Sequence, residues 1–148
     1  MHLTLVFLGE IEPARVDAMA AEISRPVEQP PFDLVFAGFG VFPPRGAPRA
    51  LWIGARRGEA ELRRLQETLA GRLERLGVAR ETRPFTPHLT LARWKSSRPS
   101  DRSRVLQSAH DRVVARVRID HATLYHSRLS SGGSTYVELA RATLSGRC

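Results

Sequence analysis

The run Arg83-Pro84-Phe85-Thr86-Pro87-His88-Leu89-Thr90-Leu91-Ala92-Arg93 carries more structural information than any other part of the chain. Its tetrapeptide His88-Leu89-Thr90-Leu91 stands a second time as His2-Leu3-Thr4-Leu5. In a β-strand, residues i and i+2 share a face. Each copy therefore predicts an imidazole beside a hydroxyl, with leucines on the opposite face. Two such strands facing each other would surround a small anion with two histidines and two threonines: a proton donor, a proton acceptor and two hydroxyl donors. One copy alone carries little weight, because Leu-Thr alternation is what any strand prefers. Strand formation does not require the same histidine ahead of it twice. The second copy also has a stiff approach through Pro84 and Pro87, and an arginine five residues on.

Outward from this run, the composition sets bounds. The chain has 148 residues, 42% of them hydrophobic, which suits one domain (1–148) built as two lobes. No run of about 18 apolar residues occurs, so no membrane-spanning helix and no membrane partner are expected. No basic-then-apolar leader precedes the first motif. The single cysteine, Cys148, excludes a disulfide framework within the chain, and a reducing, cytoplasmic setting is the expectation. The net charge is +8, and of the 23 lysines and arginines only Lys95 is a lysine. Guanidinium groups suit phosphate, so a polyanion such as RNA is compatible. Arginine-rich usage also follows from genome base composition, so charge alone does not establish a nucleic-acid partner.

Met1 to Leu8 reads as a strand ended by Gly9, and the apolar alternation of Leu3, Leu5 and Phe7 predicts that it is central and buried. Pro13 opens a helix at the position where its missing N–H costs nothing. Val16, Met19, Ala20 and Ile23 give that helix its apolar stripe, and Pro26 stops it. Strands are predicted at Phe32–Phe39 and Ala50–Gly54, with Pro43-Pro44-Arg45-Gly46 as a loop between them. Glu59 to Leu76 is the clearest helix, with Leu62, Leu65, Leu69, Leu73 and Leu76 on one face and Gly77 as its left-handed C-terminal cap. Arg63, Arg64, Gln66, Glu67 and Glu74 read as its solvated face. Ser100 or Asp101 caps a further helix around Val105, Leu106 and Ala109. Arg116–Leu129 and Thr135–Leu144 read as two strands of a long hairpin joined by Ser130-Ser131-Gly132-Gly133-Ser134. Hairpins with helices between them, and no glycine-rich phosphate loop, predict an α+β fold of antiparallel sheets with flanking helices.

At these residues the chain resembles the 2H phosphoesterase superfamily, and within it the RNA 2′,3′-cyclic phosphodiesterases, also called 2′-5′ RNA ligases. The two His-x-Thr-x motifs carry the resemblance. Gly38-Phe39-Gly40-Val41-Phe42-Pro43 with Leu51-Trp52-Ile53-Gly54, and Leu124-Tyr125-His126-Ser127-Arg128-Leu129 with Gly132-Gly133 and Tyr136, extend it from residue 1 to about 144. It implies a two-lobed, pseudo-two-fold LigT-like fold. Members of that family usually carry a strand and a helix ahead of the first motif. A chain starting at the motif is therefore expected to leave a sheet edge or apolar groove beside its first strand, and to be less stable or more prone to associate than a longer form.

The implied reaction is the opening of a 2′,3′-cyclic phosphate at an RNA 3′ end to a 2′-phosphomonoester. It needs a water deprotonated on one side of phosphorus and a ribose oxygen protonated on the other. Two imidazoles perform both near neutral pH. From the residues alone the two roles are exchangeable; the resemblance assigns His2 as proton donor and His88 as proton acceptor. It also carries Thr4, Thr90 and Arg93 over as phosphate-binding groups, although threonine equally reflects β-propensity. Arg93 falls on the face opposite His88 in a regular strand, so a bulge or strand end must turn it inward. Phe42, Trp52 and Phe85 read as core or as base-stacking rings. His110, His121 and His126 lack a threonine partner and read as incidental. No His-x-x-x-His, Cys-x-x-Cys or carboxylate cluster is present, so neither a metal nor another cofactor is expected. The implied partner is RNA with a cyclic phosphate terminus, such as a tRNA fragment, or a small cyclic nucleotide, met by a monomer. Two other readings fit the same residues: a ligase running the chemistry backwards, and a catalytically silent module that binds RNA ends.

Overall fold

The computed structural model describes residues 2–107, 112–130 and 133–146. In chain order the elements are α1 (Pro13–Ser24), β1 (Phe32–Phe42), β2 (Ala50–Arg57), α2 (Glu59–Glu74), β3 (His88–Arg93), α3 (Pro99–Gln107), β4 (Ala115–Ile119), β5 (His121–Ser130) and β6 (Gly133–Thr143). This is an α+β arrangement with antiparallel pairing, as the patterning predicts. The described residues fall into two compact units. One takes in those of Met1–Leu5, Asp33–Arg63 and Pro84–Val117, the other those of Val6–Phe32, Arg64–Arg83 and Arg118–Cys148.

The first unit holds a four-stranded sheet in the order β3-β2-β1-β4. β1 pairs antiparallel with β2, and β2 with β3. Directly opposed residues in such a ladder share a face, so the register sorts the side chains. Val41, Leu51, Ile53 and Leu89 lie on one face, where Val41 and Ile53 are buried. Gly40, Phe42, Ala50, Trp52, Gly54, His88 and Thr90 lie on the other.

The second unit is built on the β5–β6 hairpin, whose ladder runs from His121↔Thr143 out to Ser130↔Gly133. Ala122, Ala140 and Ala142 form its buried face, and side chains this small let a helix come close. α1 lies against β6 and β5. Its Met19 and Ile23 are buried, and it ends where Arg25 turns extended ahead of Pro26. α2, which belongs to the first unit as far as Arg63 and to the second from Arg64 on, buries Leu62, Leu65, Leu69 and Leu73 as its spacing predicts, each worth roughly 2 kcal/mol relative to exposure. It closes at Gly77 (φ +79°), where the Val78 amide donates to the Leu73 carbonyl over 3.1 Å.

Three expectations are corrected. Residues 2–8 form no strand: His2, Thr4 and Phe7 are exposed, and Phe7 is 86% accessible. Period-two patterning decides which way side chains point, but a strand also needs a ladder partner, and residues 2–8 pair with neither sheet. The predicted strand Arg116–Leu129 is two strands, because the chain leaves one sheet and enters the other at Asp120, whose carbonyl accepts from the Leu144 amide over 2.8 Å. α3 starts at Pro99, ahead of the expected caps. Asp101 acts from inside the first turn, its carboxylate accepting from the Arg98 amide at 2.7 Å. Ala109, His110, Ser131, Gly132 and Cys148 lie outside the described residues.

Candidate active site

His88 is the first residue of β3 and is half-buried. Its Nδ1 lies 2.8 Å from the Thr86 carbonyl oxygen. A carbonyl only accepts, so Nδ1 carries the proton in this contact, and the Nε2 lone pair is left available on the neutral ring. The ring is held edge-on by two aromatic neighbours. Phe42 lies 5.1 Å away between centroids and Trp52 6.1 Å, while Phe42 and Trp52 are 5.3 Å apart. These two rings, open to either reading in the sequence, form the wall of the imidazole site. Phe85 is half-buried in the approach to β3.

Arg93 is brought round by the irregularity that its position demands. Trp52 faces Thr90 and Gly54 faces His88, but Leu51 faces Ala92 and Ala50 faces Arg93. β3 therefore carries one extra residue, Leu91, at a β-bulge. Ala50, Trp52 and Gly54 alternate regularly along β2, so their opposite numbers Arg93, Thr90 and His88 share one face. An imidazole, a hydroxyl and an exposed guanidinium thus project from one side of a single strand.

His2 and Thr4 belong to the same compact unit as β3. They are exposed on an extended segment and are not on a strand. The structure brings His88, Thr90 and Arg93 together on one face; it does not set the first motif beside them in a ladder. His121 bonds its neighbour Asp120, Nδ1 to Oδ1 at 2.5 Å, which holds that carboxyl below its usual range. His121 and His126 lie on β5, in the other unit.

Three further contributors were given no role at the site by the sequence, although Gly40 lies in one of the stretches that carry the resemblance. Gly40 lies under the Trp52 indole: a Cβ there would fall 2.1 Å from Cζ2. Arg102 of α3 donates to the carbonyls of Pro43, Pro44 and Gly46, tying down the loop that follows Phe42. Arg63 of α2 donates to the Phe85 carbonyl and, through Nε and Nη2, to Glu59 at 3.1 and 2.7 Å. Arg63 is thus no mere part of a solvated helix face.

The family model described as the 2′-5′ RNA ligase superfamily matches residues 1–130. The chain belongs to that superfamily. The RNA 2′,3′-cyclic phosphodiesterase of Aeropyrum pernix is 33% identical, over 99% of this chain and 84% of the relative. The enzyme of the same name from Archaeoglobus fulgidus is 38% identical over 67% of this chain. This chain spans about half the length (54%) of the Archaeoglobus relative and 32% of a Geobacillus stearothermophilus one. Among solved structures, TT0787 of Thermus thermophilus superposes with a TM-score of 0.74 at 28% identity, covering 99% of this chain and 79% of that one. Escherichia coli LigT complexed with 3′-AMP superposes at 0.70 with 29% identity, covering 97% and 76%. These superpositions place the α+β fold of the superfamily along nearly the whole chain.

Proposed function

We propose that this chain hydrolyses 2′,3′-cyclic phosphate ends of RNA to 2′-phosphomonoesters, with His88 as proton acceptor and His2 as proton donor. Thr4, Thr90 and Arg93 hold the phosphate. The observation that carries the reading is the state of His88: Nδ1–H is committed to the Thr86 carbonyl, so the basic Nε2 remains for water, on the face that also bears Thr90 and Arg93. The names of the relatives support the reaction class, and the bound 3′-AMP of the LigT structure supports a nucleotide ligand.

In the proposed step, His88 Nε2 takes a proton as the water oxygen bonds to phosphorus. The bond from phosphorus to O3′ breaks as O3′ takes a proton from the His2 imidazolium. The products are a 2′-phosphate and a 3′-hydroxyl, and the histidines end with their protonation states exchanged, to be reset by solvent. Charge accumulates on the non-bridging oxygens in the pentacovalent state, and donors fixed in advance stabilise it there. The Arg93 fork suits two such oxygens at once.

The test is an oligoribonucleotide ending in a 2′,3′-cyclic phosphate, with the phosphate located in the product. A 2′-phosphate is expected. Tight binding without turnover would leave an RNA-end binding module, and a joined product with a 5′-hydroxyl oligonucleotide would leave a ligase. Either would overturn the hydrolytic reading.

A further inference from the structure

His88 is oriented by a backbone carbonyl, so its working tautomer depends on what fixes that carbonyl. The approach 84–87 belongs to no strand, and its own chemistry removes most of its freedom. Pro84 and Pro87 have φ preset by their rings, and Thr86, ahead of Pro87, is confined to extended conformations. The peptide between Phe85 and Thr86 is the link that these prolines leave least constrained. Arg63 acts on that link, since its Nη1 donates to the Phe85 carbonyl. The guanidinium is itself held from the other side by Glu59 one helical turn earlier, through Nε and Nη2. All five residues, Glu59, Arg63, Phe85, Thr86 and His88, lie within one compact unit.

We infer that Arg63 is a positioning residue: clamped by Glu59, it fixes the Phe85–Thr86 peptide so that the Thr86 carbonyl selects the Nδ1–H tautomer of His88. The line of control runs from the first turns of α2 through two backbone carbonyls to the imidazole, and of its members only His88 is given a part in the proposed proton transfers. Its kinetic consequence rests on the proposed role of His88 as base; its structural consequence does not. A hydrogen bond of ordinary net strength favours the tautomer that makes it by about fivefold, so loosening the carbonyl should return much of that ratio.

The experiment labels the histidines with 15N in the intact chain, without ligand, at a pH where the His88 ring is neutral. It reads the tautomer ratio in wild type, Arg63→Met and Arg63→Lys. Wild type should be dominated by Nδ1–H, Arg63→Met should shift toward Nε2–H by about fivefold, and Arg63→Lys, which keeps one donor but no fork, should fall between. On the cyclic-phosphate oligonucleotide, kcat of Arg63→Met should drop about tenfold with KM little changed, because the ring is misaligned but the phosphate contacts remain. Circular dichroism checks the fold, and if Arg63→Met does not fold, Arg63→Lys carries the test. A tautomer ratio unchanged from wild type in a folded variant overturns the inference. A shifted ratio with unchanged turnover upholds the positioning role and removes His88 as the base.

Discussion

Replacing Gly40 with alanine should cost this chain far more activity than stability. A Cβ at position 40 would stand 2.1, 2.4 and 2.5 Å from Cζ2, Cε2 and Cη2 of Trp52. Carbon atoms rest about 3.5–4.0 Å apart, so the indole must give way by roughly 1 Å or more. Phe42 and His88 border the ring it displaces, at 5.3 and 6.1 Å. Overpacking of this kind costs about 1–3 kcal/mol. An opposing gain comes from Trp52 Nε1, which is buried without a hydrogen-bond partner among the described residues. A displaced ring that brings that N–H to water would recover about 1–3 kcal/mol of desolvation. The two effects oppose each other over the same range, so a net change of no more than about 2 kcal/mol is expected from urea unfolding. Catalysis has no such offset, because about 1 Å of misplacement at a reacting group costs on the order of 10²-fold. Trp52 fluorescence should change alongside. Turnover of Gly40→Ala within about threefold of wild type would refute the role given to the Trp52–His88 contact. So would a stability loss large enough to explain the whole fall in activity.

The other expectations follow from the proposed chemistry. His2→Ala and His88→Ala should each lower kcat by about 10²–10⁴-fold, with the double variant little worse than the poorer single one; near-full activity without either imidazole rules out paired proton transfer. Thr90→Val should lower kcat about tenfold, and Arg93→Lys should be poorly tolerated, because an ammonium lacks the guanidinium fork. If Arg93→Lys is silent in both kcat and KM, the arginine is structural. Turnover should persist in excess EDTA, because the two imidazoles supply both proton transfers; loss of activity on chelation, restored by one divalent ion, would count against that assignment.

How far the sequence was legible depended on whether a feature was local. The α2 leucines and the Gly77 cap obey a 3.6-residue period and a left-handed terminus, and both are decided within one turn of the residue concerned. The two identical tetrapeptides show where that stops. His88-Leu89-Thr90-Leu91 becomes a strand because β2 lies alongside it, whereas His2-Leu3-Thr4-Leu5 has the same letters and forms none. Patterning encodes which way side chains face; it does not encode the partner. The same distinction explains why Asp120 was not foreseen as a break, since nothing local says that its two sides join different sheets.

The site separates along the same line. The five-residue interval from His88 to Arg93 was enough to require an irregularity if the arginine was to serve the phosphate. Only the register shows that the irregularity is a bulge at Leu91. Arg63 misled in the opposite way. In the sequence it reads as part of a solvated helix face, and the structure does give it an ordinary helical ion pair, with Glu59 at 2.7 Å. A guanidinium has donors to spare after one carboxylate, and here one of them reaches a carbonyl 22 residues along the chain. The sequence identifies a residue with unused hydrogen-bonding capacity but not where that capacity is spent. For an arginine on a charged helix face, that destination decides whether the residue is surface or machinery.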